Sequence, residues 1–289
     1  MKVLILGGDG MLGHRLLRHL APRHAVKVTL RQSLAAYRQF GVFDANNAFD
    51  VVDVRDTDRL LRVVAEYRPE AIVNCVGIVK QRAEAKDAIP SLEINTLLPH
   101  RLASLARACD ARLIHLSTDC VFSGSRGNYR ESDPIDAEDL YGRSKALGEV
   151  SEPGCLTLRT SIIGPELLRK TGLLEWFLAQ RGGAVKGYTR AVFSGFTTTE
   201  MARVIELVLN EREPPAGMYH VSSAPIAKNE LLSRINRALD LGITITPDEQ
   251  FACDRSLDSS RFRGRFAYTP PSWDEMIAEL ASELRQEQT

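Results

Sequence analysis

The chain has 289 residues, with 37 Lys+Arg against 37 Asp+Glu for a formal net charge of zero, 44% hydrophobic residues and 26% charged ones. That length can bury a sizeable core, and scattered, balanced charge excludes an electrostatic footprint for nucleic acid or a membrane surface. Five cysteines (75, 109, 120, 155 and 253), odd in number and lacking a Cys-x-x-Cys pair, read as free thiols in a reducing compartment, and the six dispersed histidines have no metal-ligand spacing. The apolar start is too short for a signal peptide, and no apolar run approaches the roughly 20 residues of a membrane span, so a cytoplasmic protein is expected.

In chain order, residues 2–6 read as a buried parallel strand, followed by Gly7-Gly8-Asp9-Gly10-Met11-Leu12-Gly13 and a helix over 14–20. Glycines 7, 10 and 13 satisfy G-x-x-G-x-x-G, and 8, 10 and 13 satisfy G-x-G-x-x-G. Between strand and helix such glycines give a tight turn, room for a pyrophosphate to approach the backbone, and close helix–strand packing. The anion would sit at the helix N-terminus, where free amides and the helix dipole favour negative charge. The alternative is a glycine-rich turn without a ligand.

A second strand, 25–30, ends in Arg31-Gln32, where an NAD-binding chain usually places an acid on the ribose 2′-hydroxyl. Arginine there suits a 2′-phosphate, favouring NADP(H) with NAD(H) second; otherwise Arg31 is a solvated surface residue. Residues 50–54 read as a third strand. Asp53 at its end either accepts from an adenine amino group or caps the helix over 58–67, for which Asp56 and Thr57 are better placed. A fourth strand over 71–77 ends in Asn74-Cys75-Val76-Gly77, a helix covers 91–109, and a fifth strand over 111–118 ends in Ser117-Thr118. Ser117 reads equally as a strand-end hydroxyl bonded to backbone or as a cofactor contact, and Asp119 as a substrate contact or a turn cap.

Tyr141 and Lys145 stand four apart, so a helix carries phenol and ammonium on one face, one turn apart. The cation favours the phenolate and lowers a tyrosine value ordinarily near ~10, which suits proton transfer; the bland reading is an exposed amphipathic helix. Alternating strands and helices predict an α/β fold, a doubly wound parallel (Rossmann) sheet over 1–160, with a small α+β substrate-binding lobe over 161–289 whose segments return to the sheet. Across that boundary 156–164 reads as a strand, and within the lobe 172–180 reads as a helix. The stretch 186–197, with Lys186 and Phe193, offers rings and cations for a sugar nucleotide, or else a β-hairpin of ordinary surface residues. Helices are expected over 197–210 with a hydroxyl cap, 229–241 and 272–285, and a short strand over 218–221.

These residues resemble the extended short-chain dehydrogenase/reductases, and within them the dTDP-4-dehydrorhamnose reductase-like enzymes, over nearly the whole chain. Gly7, Gly10 and Gly13 match the glycine motif, Asp53-Val54 the adenine-contacting pair, Asn74-Cys75-Val76-Gly77 the turn lining the cofactor, and Asn95 the helix asparagine. Ser117-Thr118-Asp119-Cys120-Val-Phe122 looks like the reductase signature, with Cys120 where tyrosine is common, and Tyr141-Gly-Arg-Ser-Lys145 matches the catalytic motif. Arg255 to Arg261 resembles the segment closing over the sugar nucleotide, with Ser256 replacing a frequent proline.

The resemblance implies hydride delivery from nicotinamide to a ketone of a nucleotide-linked 4-keto-6-deoxysugar, with Tyr141 as proton donor, Thr118 hydrogen-bonded to the same oxygen, and Lys145 tuning Tyr141 and holding the nicotinamide ribose. With these, Met11, Leu12, Arg31 and Ser117 join the glycines as the expected cofactor residues, and Thr118, Asp119, Lys186, Phe193 and Arg261 are the expected substrate residues. Relatives form homodimers in several arrangements, and the sequence selects none. Competing readings are a sugar-nucleotide epimerase, disfavoured by Arg31; a dehydratase, disfavoured by Cys120; and a non-catalytic NADP-binding regulatory subunit, disfavoured by the intact Thr118, Tyr141 and Lys145.

Overall fold

The computed structural model describes residues 1–79, 86–213 and 215–286. Its strands are β1 (Lys2–Leu6), β2 (Ala25–Thr29), β3 (Ala48–Phe49), β4 (Ala71–Asn74), β5 (Arg112–Thr118), β6 (Cys155–Thr160), β7 (Ile162–Ile163), β8 (Ala184–Phe193), β9 (Phe196–Thr197), β10 (Gly217–His220), β11 (Ile226–Ala227) and β12 (Thr244–Asp254). Its helices are α1 (Gly13–Leu20), α2 (Leu34–Tyr37), α3 (Thr57–Tyr67), α4 (Ala88–Ser91), α5 (Leu98–Ala108), α6 (Leu140–Leu147), α7 (Leu173–Leu178), α8 (Thr198–Leu209), α9 (Lys228–Leu239), α10 (Ser260–Phe266) and α11 (Trp273–Gln286). The chain folds as two compact units, one of Met1–Ser117, Glu138–Leu158 and Ala202–Met218, the other of Thr118–Ala137, Arg159–Met201 and Tyr219–Thr289.

A seven-stranded sheet, order β10-β6-β5-β4-β1-β2-β3, gives a Rossmann-like α/β fold, and every pairing from β3 across to β5 is parallel. Strand order reverses between β1 and β4, so the crevice for a ligand opens beyond their carboxyl ends. The runs Val3–Leu6 and Ala71–Asn74 are fully buried because the sheet is covered. Leu4, Leu6, Ile72 and Leu113 pack with Leu60, Val63 and Val64 of α3 and Leu98 and Leu102 of α5. The second unit contains a three-stranded sheet, β11-β8-β12, and the pair β7-β9.

Six expected helices are found within a residue or two of their expected ends, which is the ordinary fraying of helix boundaries. Asp56 caps α3 by accepting from the Arg59 amide, as its position suggested, and the Thr197 hydroxyl accepts from the Glu200 amide at the start of α8.

Several elements differ from expectation, among them the fourth strand, which ends at Asn74 rather than at residue 77. The third strand is Ala48–Phe49 rather than 50–54, because Val51 adopts a left-handed φ of 52° that no strand can contain. The helix expected over 91–109 begins at Ala88, capped by Asp87, and passes through a π-helical turn, Leu92–Leu97. Pro99 has no N–H for the carbonyl of Asn95 and would clash with it, and the wider turn relieves both. The stretch 156–164 splits into β6 and β7. The expected hairpin over 186–197 does not form: β8 pairs antiparallel with β11 and parallel with β12, and β9 pairs with β7. β12 was not expected; the sheet absorbs its Pro247-Asp-Glu-Gln250 stretch by a register shift between Asp248 and Ala252.

Candidate active site

The glycine turn follows β1 directly, at the carboxyl end where the strand order reverses. The Gly7 residue has φ 83°, the Gly10 amide donates to its carbonyl at 3.1 Å, and a Cβ on Gly13 would stand 2.0 Å from the Gly7 oxygen. Only glycine permits that approach. The first turn of α1 carries no acid, leaving its amides available to an anion. The Gly8 amide donates to the Thr29 carbonyl and the Gly7 amide to the Thr29 hydroxyl, so the turn abuts the end of β2.

Lys145, on α6, is buried, and its Nζ donates to the Leu116 carbonyl at 2.6 Å. Burial pushes its amine down to about 8, opposed by Glu149 and Cys75. A Cβ on Gly77 would lie 4.0 Å from Nζ and 3.5 Å from the Asn95 Oδ1, and a Cβ on Gly7 would lie 2.9 Å from the Val76 side chain. The glycine turn, Val76, Gly77, Asn95 and Lys145 are therefore contiguous. Asp139 caps α6 by accepting from the Gly142 amide at 2.8 Å, setting the helix on which half-buried Tyr141 precedes Lys145 by one turn.

Two buried asparagines hold the β4 end in shape. Asn95 accepts from the Ile78 amide at 2.9 Å and donates to the Ile78 carbonyl and the Ser144 hydroxyl, both at 3.1 Å, tying the strand-end turn to α6. The Asn95 carbonyl presses on Gly148, where a Cβ would meet it at 1.9 Å. Asn95→Ala should cost about 2–4 kcal/mol, since it leaves both Ile78 backbone groups buried without partners; urea denaturation checks this. Asn74 accepts from the Val76 amide and donates through Nδ2 to Nδ1 of His115, its register partner on β5. Burial, with Lys145 next, holds His115 well below its usual value, so its ring is neutral with the proton on Nε2.

Other expected site residues have found different partners. The Asp53 carboxylate is gripped by Arg55, whose Nε lies 3.0 Å and Nη2 2.5 Å from it, and that hydrogen bond outweighs burial to bring Asp53 down to about 2. Asp53 therefore caps its own turn and not α3. Arg31 is exposed and contributes to the positive potential on Asp53. The Ser117 hydroxyl donates to Glu149 at 2.6 Å rather than to backbone.

In the second unit, the Thr118 hydroxyl accepts from the Cys120 amide at 3.1 Å and donates to Asp119 at 3.2 Å, capping a single 3₁₀ turn. Burial raises the Asp119 carboxyl against the pull of Arg255. Lys186 pairs with Asp248 at 3.2 Å, and Phe193 is a core ring against Trp273, its centroid 5.6 Å away. Arg261 lies 4.6 Å over the Tyr219 ring and lines a cavity of about 400 Å³ with Arg130, Glu131, Ser132, Asp258 and Ser260. His115, Glu149 and Arg55 were not singled out from sequence. Nothing local marks His115 and Glu149, whose partners Asn74 and Ser117 are met only on folding, whereas Arg55 stands two residues from Asp53 and was within reach of a local reading.

Among the described residues no helix is long and apolar enough to cross a membrane. The family profile described as RmlD substrate binding domain matches residues 1–286. A dTDP-4-dehydrorhamnose reductase of Burkholderia thailandensis is 28% identical over 242 residues, covering 78% of this chain and 73% of that protein. Methionine adenosyltransferase 2 subunit beta of Bos taurus is 28% identical over 176 residues, 58% of this chain and 48% of that one. The crystal structure of dTDP-4-dehydrorhamnose reductase from Bacillus anthracis in complex with NADP superposes with a TM-score of 0.79 at 21% identity, over 98% of this chain and 99% of that one, a likeness of fold.

Proposed function

The chain belongs to the RmlD substrate binding domain family, and on that premise we propose that it is an NADPH-dependent reductase of a nucleotide-linked 4-keto-6-deoxysugar. The observation that carries this reading is Lys145, a buried amine lowered to about 8 beside Gly77 and one helical turn from Tyr141. Burying a cation costs several kcal/mol, and a chain that retains one against that cost has a task for it. The glycine turn fits a dinucleotide on its own geometry, since Gly13 admits no Cβ and the first turn of α1 holds no competing acid.

When bound, NADPH supplies a hydride to the ketone carbon. Gly7, Gly10 and Gly13 would hold the pyrophosphate, with Met11 and Leu12 beside them, and Asn74 to Gly77 would line the cofactor. Tyr141 would give its phenolic proton to the alkoxide oxygen and Lys145 would favour the phenolate left behind; Thr118 is the second hydroxyl donor that the resemblance implies. Asp119 and Arg261 are the substrate contacts of this reading. The partnered Lys186 and the core ring Phe193 hold the second unit's sheet, and Ser117 acts through Glu149. A cytoplasmic location is part of this reading, since five cysteines without a Cys-x-x-Cys pair suit a reducing compartment. The names of relatives agree with the substrate class.

Purified protein given NADPH and a panel of dTDP-4-keto-6-deoxysugars should consume NADPH, read as loss of its absorbance. Isomerised sugar without net NADPH consumption would make it an epimerase. The likeness to a subunit named beta motivates one further reading, a non-catalytic subunit, which would bind NADPH and turn nothing over. Arg31→Ala should weaken NADPH by about 10-fold or more while leaving NADH little changed, as expected for a lost charge-assisted bond to the 2′-phosphate. Equal losses on titration with both dinucleotides would reject that role.

A further inference from the structure

The acid that an NAD-binding chain carries at the end of its second strand is absent from Arg31-Gln32, yet a carboxylate is brought there from another part of the chain. Asp9 lies inside the glycine turn, where a negative charge beside a pyrophosphate is unfavourable. It is drawn aside: the hydroxyl of Tyr37, a ring only 1% exposed on α2, donates to the Asp9 Oδ2 at 2.9 Å. The same hydroxyl accepts from the Gln32 amide at 3.2 Å. One phenol thus bridges the glycine turn to the first residues past β2, and the turn itself is locked to β2 through Thr29. Asp9 is half-buried and retains a carboxylate oxygen that this phenol does not engage.

We infer that Asp9, held by Tyr37, is a specificity-determining residue that accepts from the ribose 2′-hydroxyl of NADH, so that this chain takes both dinucleotides, Asp9 serving the hydroxyl and Arg31 the 2′-phosphate. The inference rests on the dinucleotide-binding part of the function proposed above. The physical basis is a competition of charges: a carboxylate at the ribose edge gains a charge-assisted hydrogen bond from a hydroxyl and repels a phosphate, and an arginine beside it does the reverse. Tyr37 is a positioning residue, because without its hydroxyl the carboxylate is free to swing back towards the turn.

The test is direct titration of wild type, Asp9→Asn and Tyr37→Phe with NADH and NADPH, read by calorimetry and independent of turnover. The Asp9→Asn variant still accepts from the Tyr37 hydroxyl, so the turn keeps its shape. It should lose about 10-fold or more in NADH affinity while NADPH affinity holds or rises. Tyr37→Phe should move the NADH/NADPH ratio in the same direction by less. An equal change for both dinucleotides in Asp9→Asn, or a wild type that binds NADPH with no measurable NADH affinity, overturns the assignment of Asp9. A wild type that binds neither overturns the functional reading itself.

Discussion

Tyr141→Phe should lower turnover of a nucleotide 4-ketosugar by roughly 10² to 10⁴, the usual contribution of a positioned acid, while the dissociation constant for NADPH changes less than about twofold. Phenylalanine keeps the ring and loses only the hydroxyl, so a fall in turnover with binding intact isolates the proton. Single-turnover absorbance with NADPH titration measures both, and unchanged turnover removes Tyr141 from the chemistry. Lys145→Met should lose turnover to a similar degree with an opposite signature in stability. The buried amine stands at about 8 against 10.5 for a free lysine, so the folded chain resists protonation that the unfolded chain accepts.

The direction of the pH dependence follows from that depressed value. Between about pH 8 and 10.5 the unfolded state holds a proton that the folded state has released, so stability rises with pH across that window. Below it a penalty of order 3 kcal/mol is fully present. Lys145→Met removes the penalty and also the hydrogen bond to the Leu116 carbonyl, a loss of about 1–3 kcal/mol. The variant should therefore be inactive yet no less stable than wild type near pH 7, and its stability should be flat from pH 8 to 10.5. Urea midpoints across that range check this, and a strongly destabilised Lys145→Met would mean that the amine serves packing rather than chemistry.

Gly13→Ala should abolish NADPH binding, by at least about 100-fold, and destabilise the protein by about 2–4 kcal/mol, above the usual range for an overpacked methyl. The reason is that every atom in its way is backbone: the new Cβ would meet the Gly7 oxygen at 2.0 Å, the Gly7 carbonyl carbon at 2.8 Å and the Gly8 Cα at 2.9 Å. No rotamer change relieves that contact, so the turn itself must move, and with it the cradle for the pyrophosphate. Gly264→Ala is the matched control. It lies within α10 with nothing within 4 Å of the new methyl, and should stabilise by about 0.5–1 kcal/mol through helix propensity. Thermal denaturation of the two variants, with NADPH titration of the first, separates crowding from the general effect of replacing glycine.

Much of this site was readable one local pattern at a time. The glycine spacing, the four-residue step from Tyr141 to Lys145, the Asp56 cap and the alternation of strand and helix each depend on atoms within one turn or two of each other. Short-range sterics and hydrogen bonding therefore commit them wherever the chain goes. The resemblance to a reductase family likewise rested on motifs that are contiguous in sequence. The third strand was misplaced because Val51 leaves the extended region, which composition does not announce. The supposed hairpin over 186–197 failed because β8 found stronger neighbours in β11 and β12, one of them some 60 residues away in the chain.

Roles that depend on a distant partner were decided by packing alone. Asp9 looked like one residue of a glycine turn until Tyr37 carried its carboxylate to the end of β2. His115 acquired its neutral ring from standing opposite Asn74 within a sheet that excludes water. Hydrogen bonds and charges of this kind gain their strength from low dielectric and exclusion of solvent. Those conditions exist only once residues remote in the chain have closed around them.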